Sequence, residues 1–446
     1  GMVRRVLVLG AGRVAGPCIA HLAKREDVEV HAADRDPSRL EALRFPRVVP
    51  RLCGDLSDPG SLVRELRPEV VVNLLPAPTM ASVAHACLEA RAHMVNASYI
   101  KDPLSRLDGA VREAGLLFLC EMGLDPGIDH MAACRTVGEI HRRGGKVAAF
   151  WSACGALPDR SSDTNPLGYK LSWSPRDLLE GCRREARFLR DGKETVLPGG
   201  EPFRHATLVE VEGLGWFEEY ANADSLPYRE RYGIPEVRDL YRCTLRYPGW
   251  SELVRYLLDL GWFEEGERDL RGHSLWDLTA ERVGDAPQEG RKGAAARRLG
   301  CPVWAAALAV LEWLGVFSDA PCPLERGSLR DVLERVFLEK LSFLPGEQDL
   351  VVLQHRFAVE YPDGRKPETW VSTLVDRGTE GEETSIARTT GLPAAMGTEL
   401  ILEGLALRGV HAPVAPEVFV PALELLAARG LRFLETVLPG RKVPGR

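Results

Sequence analysis

"VLVLGAGRVAGP", Val6 to Pro17, is the stretch on which the fold turns. A run of Val and Leu stops at Gly10, as a buried strand does at a tight turn, and the helical pattern "VAGPCIAHLAKR" follows from Val14. Between them Gly10, Gly12 and Ala15 form a G-x-G-x-x-A turn. Each position has a task at a dinucleotide site. The first glycine permits the turn, the second lets the backbone approach a pyrophosphate, and the alanine keeps helix and strand close. The opening N–H groups of the helix, at its positive dipole end, then meet the phosphates. A glycine turn alone serves plain packing equally well, so the strand before it and the helix after it carry the weight.

Further strand-like runs lie downstream: "VEVHAAD", "VVVNLLP", "HMVNAS" and "LLFLCEMG", with helical patterns such as "TMASVAHACLEAR" among them. This alternation predicts an α/β fold, a Rossmann doubly wound parallel sheet, over residues 1–125. Asp34, at the end of the second strand in "AADRD", would accept hydrogen bonds from both ribose hydroxyls and favours NAD. Arg35 beside it would instead hold a 2′-phosphate, which keeps NADP as the alternative. Asp55 in "CGDLSD" is placed near the adenine, with a simple loop the other reading.

Beyond residue 145 the character changes. Residues 165–250 are rich in aromatics, Arg and Pro, and "ATLVEVEGLGWFEEYAN" and "DLYRCTLRYPGW" read as a more antiparallel sheet. Residues 251–345 read as mostly helical. "QDLVVLQHRFAVEYPDG" with "ETWVSTLVD" forms a hairpin-like pair around "PDG", and the chain from Thr384 is helical again.

The whole-chain figures agree with a folded protein of two or three domains: 446 residues, 45% hydrophobic and 27% charged. A net charge of −7 leaves no broad basic surface for nucleic acid. Residues 2–20 lack the pattern of a signal peptide, and no run reaches a membrane span. Gly1, ahead of Met2, reads as an added residue. The ten cysteines stand singly, without CxxC pairs or nearby His, so no metal site is expected and a reducing cytoplasm is.

Together "VLVLGAGRVAGP", "NLLPAP", "NASYIKD", "EMGLDPGIDH", "CGALP" followed by "NPLGYKLSWS", "TLRYPGW" and "TSIARTTGLPAA" resemble saccharopine dehydrogenase of the glutamate-forming type, also called saccharopine reductase. The resemblance runs in order over nearly the whole chain. It implies a Rossmann domain, 1–125, completed by 384–446. It also implies a mixed α/β substrate and dimerisation domain, 126–383, with a helical insertion at about 251–345. The family's reaction interconverts saccharopine with L-glutamate and 2-aminoadipate 6-semialdehyde. A hydride leaves a C–H beside a secondary amine, the imine forms and water hydrolyses it, so the site must hold several carboxylates and amines and move protons.

"MGLDPGIDH", Met122 to His130, crowds two carboxylates and three chain-benders at the end of an apolar run. At the carboxyl end of a parallel strand that is where ligands bind. The resemblance places Asp125 against the substrate's ammonium groups, while Asp129 reads as a cap for the next helix. It sets Ser98 and Tyr99 at both the nicotinamide ribose and the substrate. It adds Arg13, Val14, Leu75, Leu124 and Ser174 to the cofactor contacts, a helix cap being the other reading of Ser174. Arg229 and Arg246 match carboxylate ligands, as a guanidinium fork suits, with Arg231 an alternative to Arg229. Thr244, Leu245 and Cys154 line the same pocket. Asp125, Tyr99 and Lys170 are the candidate proton carriers, Lys170 on condition that desolvation lowers its pKa; His130, His355 and His85 read as structural.

Fungal members working in the biosynthetic direction favour NADP and lack an Asp at the position of Asp34. With Asp34 present, an NAD-linked oxidative role in lysine breakdown is expected. The fused lysine–oxoglutarate reductase half of some relatives is absent here, and a homodimer through the second domain's sheet is implied. Two rival readings stand beside this one: a carboxynorspermidine-type dehydrogenase acting on a diamine, which would not need both arginines, and a non-catalytic dinucleotide-binding sensor or scaffold.

Overall fold

The computed structural model describes residues 2–53, 59–379 and 383–442. The chain divides into two units. The first takes the residues up to Lys146, then Glu230–Pro235 and Leu374–Leu434; the second takes Val147–Arg229, Glu236–Thr373 and the residues from Glu435 on.

The first unit opens with β1 (Arg4–Leu9), α1 (Ala15–Leu22), β2 (Val28–Asp34), α2 (Pro37–Ala42), β3 (Val48–Leu52), α3 (Gly60–Leu66), β4 (Val70–Asn73), α4 (Met80–Ala90), β5 (His93–Asn96), α5 (Asp108–Glu113), β6 (Leu117–Leu119) and α6 (Ile128–Arg142). The strands lie in the order β6-β5-β4-β1-β2-β3, every pair parallel. A sheet covered on both faces wants unbroken apolar strands rather than alternation, and Val6–Leu9, Val70–Val72 and Leu117–Leu119 are fully buried. Turn-forming and polar residues gather where the strands stop. Gly10, Leu74–Leu75, Ala97–Tyr99 and Glu121–Asp125 follow the carboxyl ends of β1, β4, β5 and β6, the edge where open α/β sheets bind ligands.

The second unit contains β7 (Lys146–Pro158), α7 (Pro175–Gly181), β8 (Ala186–Arg190), β9 (Lys193–Leu197), β10 (Thr207–Val211), β11 (Gly215–Ala221) and β12 (Asp239–Arg246), and the short α8 (Tyr228–Arg231) passes into the first unit at Glu230. A mostly helical stretch follows: α9 (Trp250–Asp259), β13 (Arg268–Asp269), α10 (Leu275–Val283), α11 (Arg291–Leu299), α12 (Ala306–Leu314), β14 (Arg326–Gly327) and α13 (Leu329–Lys340). Then come β15 (Asp349–Glu360) and β16 (Glu368–Arg377), neighbours in the sheet as the "PDG" turn implies. The sheet is mixed. β12 runs parallel to β7 but antiparallel to β11, and β10 and β11 are antiparallel.

After β16 come α14 (Ser385–Leu402), β17 (Gly409–His411), α15 (Pro416–Ala428) and β18 (Phe433–Pro439). β17 adds in parallel beside β6, α14 lies on α1, and α15 lies on α6 and α14. Thus α6, which the sequence reading gave to the second domain, sits in the first unit. Its buried face, from Ile128 to Ile140, is covered by a helix supplied from the far end of the chain. β18 belongs to the second sheet, next to β16.

Candidate active site

The glycine turn is shaped for a dinucleotide. Gly10 has φ +96°, and a Cβ there would meet Leu75 Cδ2 at 3.3 Å and the Leu74 backbone at 3.4 Å. Nothing lies within 4 Å of the Cβ position at Gly12, which leaves room for a pyrophosphate. Val14 precedes α1 without a side-chain cap, so the first N–H groups of that helix are available to an anion, and Ala15 is buried against the sheet. Arg13 is exposed beside them, and Leu75 N–H is held by Asn73 Oδ1 at 3.1 Å.

Asp34 is placed differently from the sequence expectation. It is 2% exposed, its Oδ2 accepts from Ala11 N–H at 2.8 Å, and its Oδ1 accepts from Asp36 N–H at 2.8 Å. The carboxylate ties the end of β2 to the glycine turn, and little of it is left for ribose hydroxyls. Arg35 is exposed and has no carboxylate partner among the described residues, while Arg39 on α2 brings Nη1 to 3.7 Å from Asp34 Oδ2. Arg39 was not singled out from the sequence. Its only signal is a second cation just after the Asp34–Arg35 pair. Asp55 lies outside the described residues.

On the same sheet edge Tyr99 and Asp125 come together, the Tyr99 hydroxyl 3.4 Å from Asp125 Oδ1. The Asp125 turn is locked by its own backbone. Gly123 N–H donates to Pro126 O at 2.9 Å, and Ile128 N–H donates to Gly123 O at 2.8 Å. Asp129 Oδ1 accepts from the N–H groups of Gly127 and His130 at 2.7 and 2.8 Å, so it dresses the start of α6. Ser98 is half-buried with its N–H on Asn96 Oδ1, and Leu124 is buried.

In the second unit Cys154 on β7 and Thr244 on β12 are register partners, and Gly155 allows that approach: a Cβ there would stand 2.7 Å from Leu245 O. Thr244 Oγ1 accepts from Asn222 Nδ2 at 2.5 Å. Arg246, on the same face of β12 as Thr244, is the most informative residue. It is 5% exposed, and its guanidinium lies 5.0 Å from the Tyr169 ring and 5.5 Å from that of Trp250. One Nη donates to Leu245 O at 2.9 Å, Nε has no partner, and no carboxylate pairs with it among the described residues. Burial pushes Tyr220 and Cys182 up to about 12 and raises Tyr169, so these neighbours are neutral at ordinary pH and offer no counter-charge. Tyr169 and Trp250 were missed as site residues, although both stand in the motifs quoted for the family. A cavity bordered by Trp151, Phe188, Tyr241 and Cys243 belongs to the opposite side-chain parity of β12 and contains none of the candidate residues.

Three sequence candidates have other employment. Lys170 is 3% exposed and holds a buried ion pair with Glu347, its Nζ also donating to Thr164 Oγ1 at 2.7 Å. An ammonium committed to a carboxylate is a structural tie, so Lys170 leaves the set of proton carriers. Ser174 caps α7, accepting from Asp177 N–H at 3.3 Å. Arg231 is ion-paired with Glu121 at 3.1 Å, and Arg229 is exposed. Among the described residues no group of three or more His, Cys, Asp or Glu could hold a metal ion.

Known proteins resemble this chain in sequence and fold. The family model described as "Saccharopine dehydrogenase NADP binding domain" matches residues 6–119, and "Saccharopine dehydrogenase C-terminal domain" matches residues 123–431. Saccharopine dehydrogenase [NADP(+), L-glutamate-forming] of Saccharomyces cerevisiae is 34% identical over 434 residues, 95% of this chain and 97% of that protein. Alpha-aminoadipic semialdehyde synthase of Arabidopsis thaliana is 34% identical over 96% of this chain, which spans 44% of that longer protein. The solved structure of apo histidine-tagged saccharopine dehydrogenase (L-Glu forming) from Saccharomyces cerevisiae superposes with a TM-score of 0.88 at 32% identity, covering 98% of this chain and 100% of that one. NADP is the dinucleotide these descriptions name. The expectation of NAD as primary cofactor has no support among them, in keeping with the engagement of Asp34 inside the fold.

Proposed function

This chain belongs to the saccharopine dehydrogenase family, and from that premise we propose that it interconverts saccharopine with L-glutamate and 2-aminoadipate 6-semialdehyde, in lysine metabolism, using NADP. The observation that carries the reading is Arg246. A buried guanidinium without a counter-charge is costly unless a ligand supplies one. A substrate carboxylate fits its fork bidentately. The adjoining rings of Tyr169 and Trp250, 4.9 Å apart, shield the guanidinium from water. Asp125 is the carboxylate for a substrate amine, and Tyr99, hydrogen-bonded to it, orients it and hands protons to and from the water that hydrolyses the imine. Cys154 and Thr244 line the approach to Arg246, and Arg229 takes a second carboxylate.

The glycine turn from Gly10 to Ala15 fits a dinucleotide pyrophosphate, with Leu75, Ser98 and Leu124 along the same sheet edge. When bound, the nicotinamide supplies or takes up the hydride. Arg35 and Arg39 are the cations for a 2′-phosphate, since Asp34 faces inward. A homodimer and a cytoplasmic setting complete the reading. Ten cysteines with no disulfide among them support a reducing compartment.

The test is a turnover assay on purified protein with saccharopine and either NADP or NAD, following reduced-nicotinamide absorbance. Turnover that is faster with NADP is expected. No turnover with either nucleotide, despite clear nucleotide binding, would sink the assignment and turn attention to diamines or a sensor role.

A further inference from the structure

We propose that Glu121 is a positioning residue, whose buried carboxylate aligns the segment bearing Tyr99 with the turn bearing Asp125. The inference rests on the reading of those two side chains as substrate-facing groups.

Glu121 follows β6, is 0% exposed, and holds φ +57°, a conformation that a glutamate adopts rarely and that clusters at functional sites. Its carboxylate receives donors from three separate pieces of chain. Oε1 is 2.9 Å from His130 Nε2 and 3.1 Å from Arg231 Nη1; Oε2 is 3.3 Å from Arg231 Nη1 and 3.4 Å from the backbone N of Ile100. Its own N–H donates to Ser98 O at 3.2 Å. One residue thus grips both sides of Tyr99, through Ser98 and Ile100. Through His130 it also grips the first turn of α6, directly after the Asp125 turn. The imidazole is bonded at both nitrogens, with Nδ1 2.6 Å from the Tyr232 hydroxyl. Arg231 balances the charge, so the carboxylate is paired and hydrogen-bonded as burial demands.

Apolar side chains of similar volume would serve stability as well as such an ionic group. What an apolar group cannot do is hold two loops at one mutual angle through directed bonds. Tyr99 and Asp125 meet at 3.4 Å, a distance that small rotations of either segment would open.

The experiment is a double-mutant cycle. Glu121→Gln is assayed with saccharopine and NADP, alone and in a Tyr99→Phe background. Acting through Tyr99 and Asp125, it should lower kcat/KM about 10-fold alone and less than about 3-fold with Tyr99→Phe, while the affinity for NADPH by fluorescence titration stays within about 2-fold. An equal loss in both backgrounds overturns the proposal. If Glu121→Gln fails to fold, Arg231→Lys and His130→Gln carry the same cycle with the same criterion. If the unaltered protein turns over no saccharopine, the functional reading falls. Hydrogen exchange then decides the inference: Glu121→Gln should deprotect residues 96–100 and 123–130 together, and loss in only one segment, or in neither, overturns it.

Discussion

Three side chains show what sits behind a residue's letter. Arg246 is buried and lacks a counter-charge, so its replacement should cost binding rather than folding. Arg246→Ala is expected to lower kcat/KM for saccharopine by about 3 kcal/mol, roughly a hundredfold, with the thermal midpoint kept or raised. A lowered midpoint with normal kinetics would show that the arginine is structural. Asp34 has the opposite history: an exposed acid at the end of β2 would select NAD, but this one is turned inward onto Ala11 N–H. Arg35→Ala and Arg39→Ala should each weaken NADP at least about 10-fold while leaving NAD turnover within about 2-fold, measured as the ratio of their kcat/KM values. Lys170 makes a prediction about stability. Burial works to raise the Glu347 carboxyl, but hydrogen bonds from Lys170, the Leu344 N–H and Thr164 bring it below the ordinary glutamate value of 4.5. A depressed folded value means that the pair's contribution is complete above pH 4.5 and is lost as the pH falls through the lower folded value. Lys170→Met should destabilise by about 3 kcal/mol at pH 7 in urea titrations, and the gap to the unaltered protein should narrow in acid.

At the scale of elements, close approach decides more than propensity. The motif "TSIARTTGLPAA" is helical, and its Gly391 would be a poor helix residue if packing did not require it. A Cβ at Gly391 would lie 2.2 Å from Val14 O, in the glycine turn itself. Gly391→Ala must therefore push α14 or the turn aside. A stability loss of about 1–3 kcal/mol is expected, together with weaker NADPH binding in fluorescence titration. Intact nucleotide affinity would show that α14, not the turn, gives way. The strands of the first sheet were readable because each is a short apolar run bounded by turn residues. β3 and β17 were not read: "VVPRL" carries a Pro and an Arg, and "GVH" is too short for a period. Both lie at the sheet's margins, where pairing with one neighbour is enough.

For the whole molecule the first unit is discontinuous. α1 needs α14, α6 needs α15, and β6 needs β17, all supplied from beyond residue 384. A fragment ending at residue 146 should leave these apolar faces uncovered, and circular dichroism should show non-cooperative melting and no NADPH binding. A cooperative, nucleotide-binding fragment would refute the dependence. Sequence alone determined the parallel sheet, the glycine turn at its edge and the family, because each is written in residues close together in the chain. Tertiary structure alone decided which polar groups are spoken for. Lys170 meets Glu347 177 residues away, Arg231 meets Glu121 110 residues away, and Arg246 meets no acid among the described residues. The reach of a charge or a hydrogen bond is a few ångströms of space, and separation along the chain places no limit on which groups come within it.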